Sequence, residues 1–191
     1  MAEPASAPPR LATGTGSPAS VPATAELRLR QMFDGNVDFV WRSLRRLGVP
    51  PLTVDDAVQE VFIVANRRIA DIELGRERSF LFATALRIAS EQRRRVRHRE
   101  LVDDVAVADA ADAAPTPDEL ADQHRRRQVL DRVLASLELD VRAVFVLHEL
   151  EEMTMADIAV TLDLPPGTVA SRLRRGRDEF QAAVARLRRA P

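Results

Sequence analysis

The sequence contains no cysteine, no tyrosine and one tryptophan, and all 28 of its basic residues are arginine, so lysine is absent. Without cysteine the chain can form neither disulfides nor thiolate metal sites. No apolar run approaches the roughly 18 residues that a membrane-spanning helix needs. The first residues lack the basic start and apolar centre of a secretory signal. We therefore expect a cytoplasmic protein that does not interact with a membrane.

The sequence also lacks the short motifs that identify common enzymes. It has no phosphate-binding glycine loop, no dinucleotide fingerprint and no serine nucleophile elbow. His148 and Glu149 begin like a zinc-protease motif, but Glu152 stands where the second histidine is needed, and His98 and His124 are not at ligand spacing. We predict no catalytic residue, no metal site, no cofactor and no small-molecule substrate.

Two segments differ in composition from the rest of the chain. Residues 1–25 are rich in alanine, proline, serine, threonine and glycine, a composition that predicts a disordered tail. Residues 100–122 contain eight acidic residues, no basic residue, and Pro115 and Pro117, which predicts an acidic flexible linker. The linker separates two patterned blocks, residues 26–99 and 123–191, each of the size of a small domain.

Both blocks show the periodicity of amphipathic helices, with apolar residues at i, i+3, i+4 and i+7. No stretch requires a strand. The predicted fold class is therefore all-α, with two small helical domains, and Thr53 is the expected N-cap of the second stripe. The core stripes are Val37, Val40, Trp41 and Leu44; Val54, Ala57, Val58, Val61, Phe62 and Ala65; Leu81, Thr84, Ala85, Ile88 and Ala89; Leu130, Val133, Leu134 and Leu137; and Val141, Val144, Phe145, Leu147 and Leu150.

The segment from Met153 to Arg189 has the pattern of a helix-turn-helix. Thr154 and Asp157 are spaced like a capping box at the start of a short helix. Residues 163–167, DLPPG, interrupt it, and a proline suits the first turn of the helix that follows. A short helix, a tight turn and a second helix are the arrangement that places one helix in the DNA major groove.

The second of these helices has two different faces. At about 100° per residue, one side should be core and the other polar. Small hydroxyls and arginines can contact bases and phosphates, and a helix N-terminus favours phosphate. The alternative is a solvated arginine-rich face without a ligand. The predicted core side is Val169, Leu173, Gly176, Phe180, Val184 and Leu187, and the predicted reading side is Thr168, Ser171, Arg174 and Arg175, with Arg172 and Arg177 flanking it.

A second basic cluster ends the first block. Residues 93–99 contain five arginines, which predicts contact with a polyanion, or alternatively a solvated helix end whose cations suit the helix dipole. Phe80 and Phe82 lie near the start of the same helix. One of them could stack on an unpaired base if it is exposed, whereas core packing is the commoner fate of a phenylalanine.

Three segments together resemble the extracytoplasmic-function (ECF) class of bacterial sigma factors. DDAVQEVF at 55–62 resembles the family's polymerase-clamp-binding helix. FLFATALRIASEQRRRVRHR at 80–99 resembles the helix that opens and reads the −10 element. MTMADIAVTLDLPPGTVASRLRRGRDEF at 153–180 is similar to the −35-reading helix-turn-helix. The chain departs from the family pattern at Phe80, usually tryptophan, and at Arg87 and Glu91, usually asparagine and aspartate. The proline expected between Leu137 and Arg142 is also absent.

The resemblance implies a sigma factor that binds core RNA polymerase and promoter DNA. An anti-sigma protein is common in the family and is a candidate further partner, which the sequence itself does not show. The resemblance also gives the linker either a path through polymerase channels or the role of a plain spacer. The alternative function is that of a helix-turn-helix regulator that acts without core polymerase. A third function is that of a protein that acts only by binding other proteins. The residues implied are Asp56, Gln59, Glu60 and Phe62 for polymerase; Phe80, Arg87, Glu91, Arg94 and Arg95 for −10 DNA; and Thr168, Ser171, Arg172, Arg174 and Arg175 for −35 DNA.

Overall fold

The computed structural model describes the backbone of residues 20–102 and 118–189, and the side chains of residues 24–96 and 125–189. Within these ranges the chain forms seven α-helices and one π-helical turn, and no strand, which confirms the all-α prediction. The elements are α1 (Ser20–Arg46), α2 (Pro51–Arg67), α3 (Glu77–Val102), α4 (Asp118–Ala135), α5 (Leu139–Phe145), the π turn (Val146–Leu150), α6 (Met155–Leu162) and α7 (Pro166–Arg189).

Helices α1, α2 and α3 pack together as the N-terminal unit. Helix α2 buries its predicted stripe completely, from Val54 to Ala65, against both neighbours. Two predictions are wrong here. Trp41 is 41% exposed, since its indole turns outward to donate a hydrogen bond to Asp55 at 3.1 Å. The N-cap of α2 is Pro50 rather than Thr53, because the proline at the first helical position lets the helix begin earlier.

The C-terminal unit consists of α4 to α7, with α7 packed mainly along α5. Gly176 lies at their closest approach, since a Cβ there would stand 3.2 Å from Val141 and 3.3 Å from Phe145. Phe145 also stacks on Phe180 of α7, with ring centroids 4.9 Å apart. The π turn follows α5 directly and ends at Glu151, after which the chain turns into α6.

The structure corrects the ends of the two segments that composition singled out. Helix α1 begins at Ser20, so residues 20–25 of the predicted tail are helical, and residues 1–19 lie outside the described residues. Helix α3 continues to Val102, and α4 begins at Asp118, so the predicted linker loses both of its ends. Acidic residues directly after Pro117 suit a first helical turn, since they complement its dipole. Residues 103–117, the middle of that linker, lie outside the described residues.

The two units share one hydrophobic core. Leu44 of α1 and Leu47, directly after that helix, belong to the same buried cluster as Leu137 and Val144 of the C-terminal unit. Arg142 is buried at this boundary, donating hydrogen bonds to the carbonyls of Leu47 at 3.1 Å and Leu137 at 3.0 Å. Burial, together with the nearby charge of Arg93, lowers the pKa of Arg142 to about 10, and Asp131 opposes this shift. The guanidinium is therefore charged at neutral pH and fastens one unit to the other.

Candidate nucleic-acid interface

Helices α6 and α7 form the predicted helix-turn-helix. The Thr154 hydroxyl accepts a hydrogen bond from the backbone N–H of Asp157 at 3.2 Å and donates one to its carboxylate at 2.7 Å, which confirms the capping prediction. Asp163 ends α6 in the left-handed conformation, with φ 51°. Pro166 is the first residue of α7, where its missing N–H has no helical partner to lose.

The face of α7 predicted to read DNA lies away from the core. Ser171, Arg174 and Arg175 are exposed, while Thr168 and Arg172 are half-buried. The Ser171 hydroxyl donates back to the carbonyl of Thr168 at 3.0 Å, so in the free protein it is satisfied within its own helix. These five side chains occupy the first half of α7, on the side that is free to enter a groove.

Carboxylates from outside α7 pair with three of its seven arginines, Arg172, Arg175 and Arg177. Arg172 pairs with Asp140 at the start of α5, at 3.0 Å. Arg175 pairs with Glu138 just before α5, at 3.0 Å, and with Glu179 one turn further along α7, at 2.6 Å. Arg174, by contrast, is exposed and has no ion pair within the described part of the chain. The free protein therefore presents one unpaired arginine beside two that acidic neighbours hold.

These pairs keep the arginines charged and orient them. The hydrogen bond to Glu179, followed by the charge of Glu138, raises the pKa of Arg175 above its usual value. Arg177 pairs with Glu149 of the π turn at 2.7 Å, and this hydrogen bond lowers the pKa of Glu149 below its usual value. A phosphate that approaches this surface meets oriented guanidinium groups, but it also meets the carboxylates that hold them.

The inner face of α7 follows the prediction for most of its length. Val169, Leu173 and Gly176 are buried, and Phe180 is half-buried. The prediction is wrong for Leu187, which is 42% exposed, because the last turns of α7 extend beyond the partner helices. Ala183 is buried instead, one position before the predicted Val184.

The predicted −10 residues form a stripe along the outside of α3. Arg87, Glu91, Arg94 and Arg95 are exposed at helical spacings that place them on one face. Phe80 stands at the start of this stripe and is half-buried, with the Arg68 guanidinium 5.6 Å from its ring centre. Phe82 is fully buried, whereas Phe80 packs against the edge of the core and is the more accessible of the two. The side chains of Arg97 and Arg99 lie outside the described residues.

The predicted polymerase-binding residues divide into an exposed set and one buried member. Asp56, Gln59 and Glu60 are exposed on the outer face of α2. Phe62 is only 7% exposed and packs on Phe33 of α1, with ring centroids 4.8 Å apart. The apolar side chain that continues the exposed face is Ile63, 43% exposed, which the motif did not single out. Its position four residues after Gln59, on the outer side, is the sequence signal that could have found it.

The described residues include neither a cluster of metal ligands nor a membrane-spanning helix. No three histidine, aspartate or glutamate side chains in the described part of the chain come together as metal ligands would. Among the described helices, none combines the length and apolar character needed to cross a membrane.

The described residues have the architecture of a helix-turn-helix protein whose second helix presents arginines outward. Residues 127–180 match the family "Sigma-70, region 4". The ECF RNA polymerase sigma factor SigE of Mycolicibacterium smegmatis is 31% identical over 175 residues, which cover 90% of this chain and 65% of that relative. The chain thus spans just under two thirds of that relative's length. The chain is thus similar to ECF sigma factors over most of its length, and to sigma-70 region 4 over residues 127–180.

Three other known proteins resemble this chain, one in sequence and two in fold. The ECF RNA polymerase sigma-E factor of Escherichia coli is 28% identical over 152 residues, 73% of this chain and 78% of that protein. RpoE of Bartonella quintana, solved with the anti-sigma factor NepR, superposes with a TM-score of 0.66 over 82% of this chain and 96% of its own, at 20% identity. CnrH, solved with the cytosolic domain of CnrY, gives 0.62 over 85% and 94%, at 21% identity. The two solved structures have this fold.

Proposed function

We propose that this chain binds core RNA polymerase and directs initiation at promoters by reading their −10 and −35 elements. The observation that carries the proposal is the outward strip of Thr168, Ser171, Arg174 and Arg175 at the start of α7. Hydroxyl and guanidinium groups at a helix N-terminus suit base edges and phosphates in a major groove. This work takes place where the polymerase transcribes the chromosome, in the cytoplasm.

We further propose that the outer stripe of α3 contacts the −10 DNA and that the outer face of α2 contacts the polymerase. On α3, Arg87, Arg94 and Arg95 can neutralise phosphates, and the half-buried Phe80 can offer one ring edge to an unstacked base. On α2, exposed Asp56, Gln59 and Glu60 are flanked by the apolar Ile63. Because Phe62 is buried, we propose that it positions the outer face of α2 and does not itself contact the polymerase.

An anti-sigma protein is the third proposed partner. RpoE of Bartonella quintana was solved in complex with the anti-sigma factor NepR, and CnrH with the cytosolic domain of CnrY. Because the fold of this chain matches both over more than four fifths of its length, we propose that a protein of this kind can also hold it. The acidic segment 103–117 is proposed to run along the polymerase between the two units.

The test is transcription in vitro with purified core polymerase on a library of promoters from the source genome. Adding the chain should produce specific start sites, and Arg174→Ala with Arg175→Ala should abolish them. The matched control removes the same charge from the exposed end of the same helix, Arg188→Ala with Arg189→Ala, and should retain activity. Specific starts that survive the first pair, or no specific start with the unchanged chain, would contradict the proposal.

Polymerase binding is tested separately by a charge reversal on α2. Glu60→Arg should weaken binding to core polymerase, whereas Glu73→Arg, an equally exposed carboxylate in the following loop, should not. A regulator that acts without polymerase would instead bind duplex DNA tightly by itself. That alternative has no support from the similarity, which extends over 90% of the chain and so includes both units.

A further inference from the structure

One line of residues along α7 points almost directly away from the core. A step of two residues turns an α-helix by about 200°, so this line lies two positions before each member of the inner face, which is formed by Val169, Leu173, Gly176 and Phe180. In a helix that enters a groove, such a line faces the floor of the groove, where the base edges are. We call it the reading line, and it consists of Gly167, Ser171, Arg174 and Asp178, all of them exposed.

Arg174 is the member of the reading line that can make a bidentate contact with a base. Gly167 has no side chain, and the Ser171 hydroxyl donates to the carbonyl of Thr168 at 3.0 Å. Asp178 can only accept hydrogen bonds. A bidentate contact with O6 and N7 of guanine uses two adjacent N–H groups of one guanidinium. Within the described part of the chain Arg174 has no ion pair and no side-chain hydrogen bond, so all its N–H groups are available.

The other arginines in this half of α7 have part of their guanidinium group occupied. Arg175 donates from Nε to Glu179 at 2.6 Å, and its Nη1 pairs with Glu138 at 3.0 Å. Arg177 donates from both Nε and Nη2 to one oxygen of Glu149, at 2.8 and 2.7 Å. The N–H groups that remain suit a phosphate oxygen, which positions a protein on DNA without identifying a base.

These occupied arginines lie on the two flanks of the reading line. Arg172 and Arg175 lie on the side where α5 begins, and Arg177 lies on the side of the π turn, as their ion pairs show. A helix about 10–12 Å across fills a major groove about 12 Å wide, whose walls are the two sugar-phosphate backbones. The two flanks therefore face different DNA strands.

The charge along α7 sets the end of this contact. Asp178 and Glu179 follow Arg177 directly, and their carboxylates repel phosphates. Residues 167–177 extend over about 16 Å at 1.5 Å per residue, which corresponds to about five base pairs at 3.4 Å each. Arg186 and Arg188 lie beyond this acidic step and outside the contact.

We propose that Arg174 determines the sequence preference of α7 by binding one guanine, while Arg172 and Arg175 hold phosphates of one strand and Arg177 holds phosphates of the other. This inference rests on the proposed function, because that function makes duplex DNA the occupant of this face. It assigns to Arg174 alone the choice of a base, and it adds Arg177 to the residues that contact DNA.

The first test is a selection with the full-length chain from short duplexes that carry a randomised central stretch. The unchanged chain should select a motif in which one position prefers guanine by at least about fivefold. Arg174→Ala should reduce that preference to less than about twofold and leave the other positions as they were. Arg174→Gln should change it to adenine, because a glutamine amide pairs with the N6 and N7 of adenine.

The flanking arginines are tested on the selected duplex and on a scrambled one, by fluorescence anisotropy over a salt series. Arg172→Ala and Arg177→Ala should weaken binding to both duplexes by the same factor, keep the selected motif, and lower the slope of log affinity against log salt by about 0.9. Arg188→Ala, an exposed arginine of the same helix, should change neither the motif nor the slope. A motif that Arg174→Ala leaves intact, or one that Arg177→Ala relaxes at a single position, would overturn the assignment.

Neutral methylphosphonate linkages placed in one strand at a time distinguish the two flanks. Neutral linkages in one strand should remove the effect of Arg177→Ala, and neutral linkages in the other strand should remove the effect of Arg172→Ala, since each substitution then has no phosphate charge left to lose. If the same strand governs both variants, the placement of the flanks on opposite strands is wrong.

Transcription of the same randomised stretch, placed in the −35 region of a template and read with core polymerase, separates this inference from the proposed function. A guanine preference that follows Arg174 in the free chain, without polymerase-dependent start sites, would keep the inference and remove the function. Start sites that depend on the chain but whose −35 preference is the same in Arg174→Gln would do the reverse. A chain that selects no motif, with or without polymerase, would overturn the inference.

Discussion

Gly48 is the residue with the tightest constraint on its identity. Its φ is +96°, in the left-handed region, and a Cβ built on it would stand 2.6 Å from a guanidinium nitrogen of Arg142. That nitrogen donates to the carbonyl of Leu47, so the glycine makes room for the bond that joins the units. Conformation and space therefore exclude a side chain at the same position.

We predict that Gly48→Ala lowers the free energy of unfolding by about 3 kcal/mol, from backbone strain and the displaced Arg142 hydrogen bond. Gly75→Ala is the matched control, because Gly75 also has a positive φ, +81°, but nothing lies within 4 Å of its Cβ position. It should cost only about 1–2 kcal/mol. Urea unfolding of the two variants measures both values, and equal losses would contradict the steric part of the argument.

Under the proposed function, Glu138 competes with DNA for Arg175. Its carboxylate is 69% exposed and 3.0 Å from that guanidinium. Glu138→Gln should therefore raise the affinity for duplex DNA about two- to fivefold at low salt, and the gain should shrink as salt rises. Fluorescence anisotropy with a labelled duplex measures the change. Glu26→Gln, an exposed carboxylate on α1, should give no gain, and an equal gain there would show a general charge effect instead.

At the scale of elements, the approach of α7 to α5 depends on Gly176. We predict that the free energy of unfolding of Gly176→Ala is lower than that of Gly35→Ala by at least about 1 kcal/mol, when each is compared with the unchanged chain. Both variants gain the helix propensity of alanine, about 1 kcal/mol. Nothing lies within 4 Å of the Gly35 Cβ position, whereas at Gly176 the new methyl must push Val141 and Phe145 away. Thermal unfolding compares the two, and equal stabilisation would mean that α7 adjusts freely.

Local elements could be predicted from the sequence because their signals are local. Thr154, Asp157 and Pro166 mark the helix-turn-helix boundaries by hydrogen bonding and backbone restriction, and the structure places each as expected. Trp41 and Leu187 could not be placed by periodicity alone, because the exposure of Trp41 depends on its hydrogen bond to Asp55 and that of Leu187 on where the partner helices end. The π turn and the burial of Glu151 likewise depend on contacts between residues far apart in the chain.

At the scale of the whole molecule, Arg142 couples the two units. It is 2% exposed, and its removal leaves the carbonyls of Leu47 and Leu137 without these donors. We predict that Arg142→Leu costs about 3 kcal/mol and splits a single calorimetric unfolding transition into two. Arg132→Leu, an exposed arginine of α4, should keep one transition. A single transition in both variants would show that the shared apolar core alone couples the units.

The π turn at Val146–Leu150 sets the directions of two carboxylates, Glu149 within the turn and Glu151 directly after it. Glu149 pairs with Arg177 of α7. Glu151, only two positions later, pairs with Arg46 and Arg78 of the N-terminal unit. Deleting one residue from this wide turn would restore ordinary helical spacing and rotate everything downstream by about 100°. The ion pairs of Glu149 and of Glu151 would then be broken together, so this short stretch should tolerate substitutions far better than a change in length.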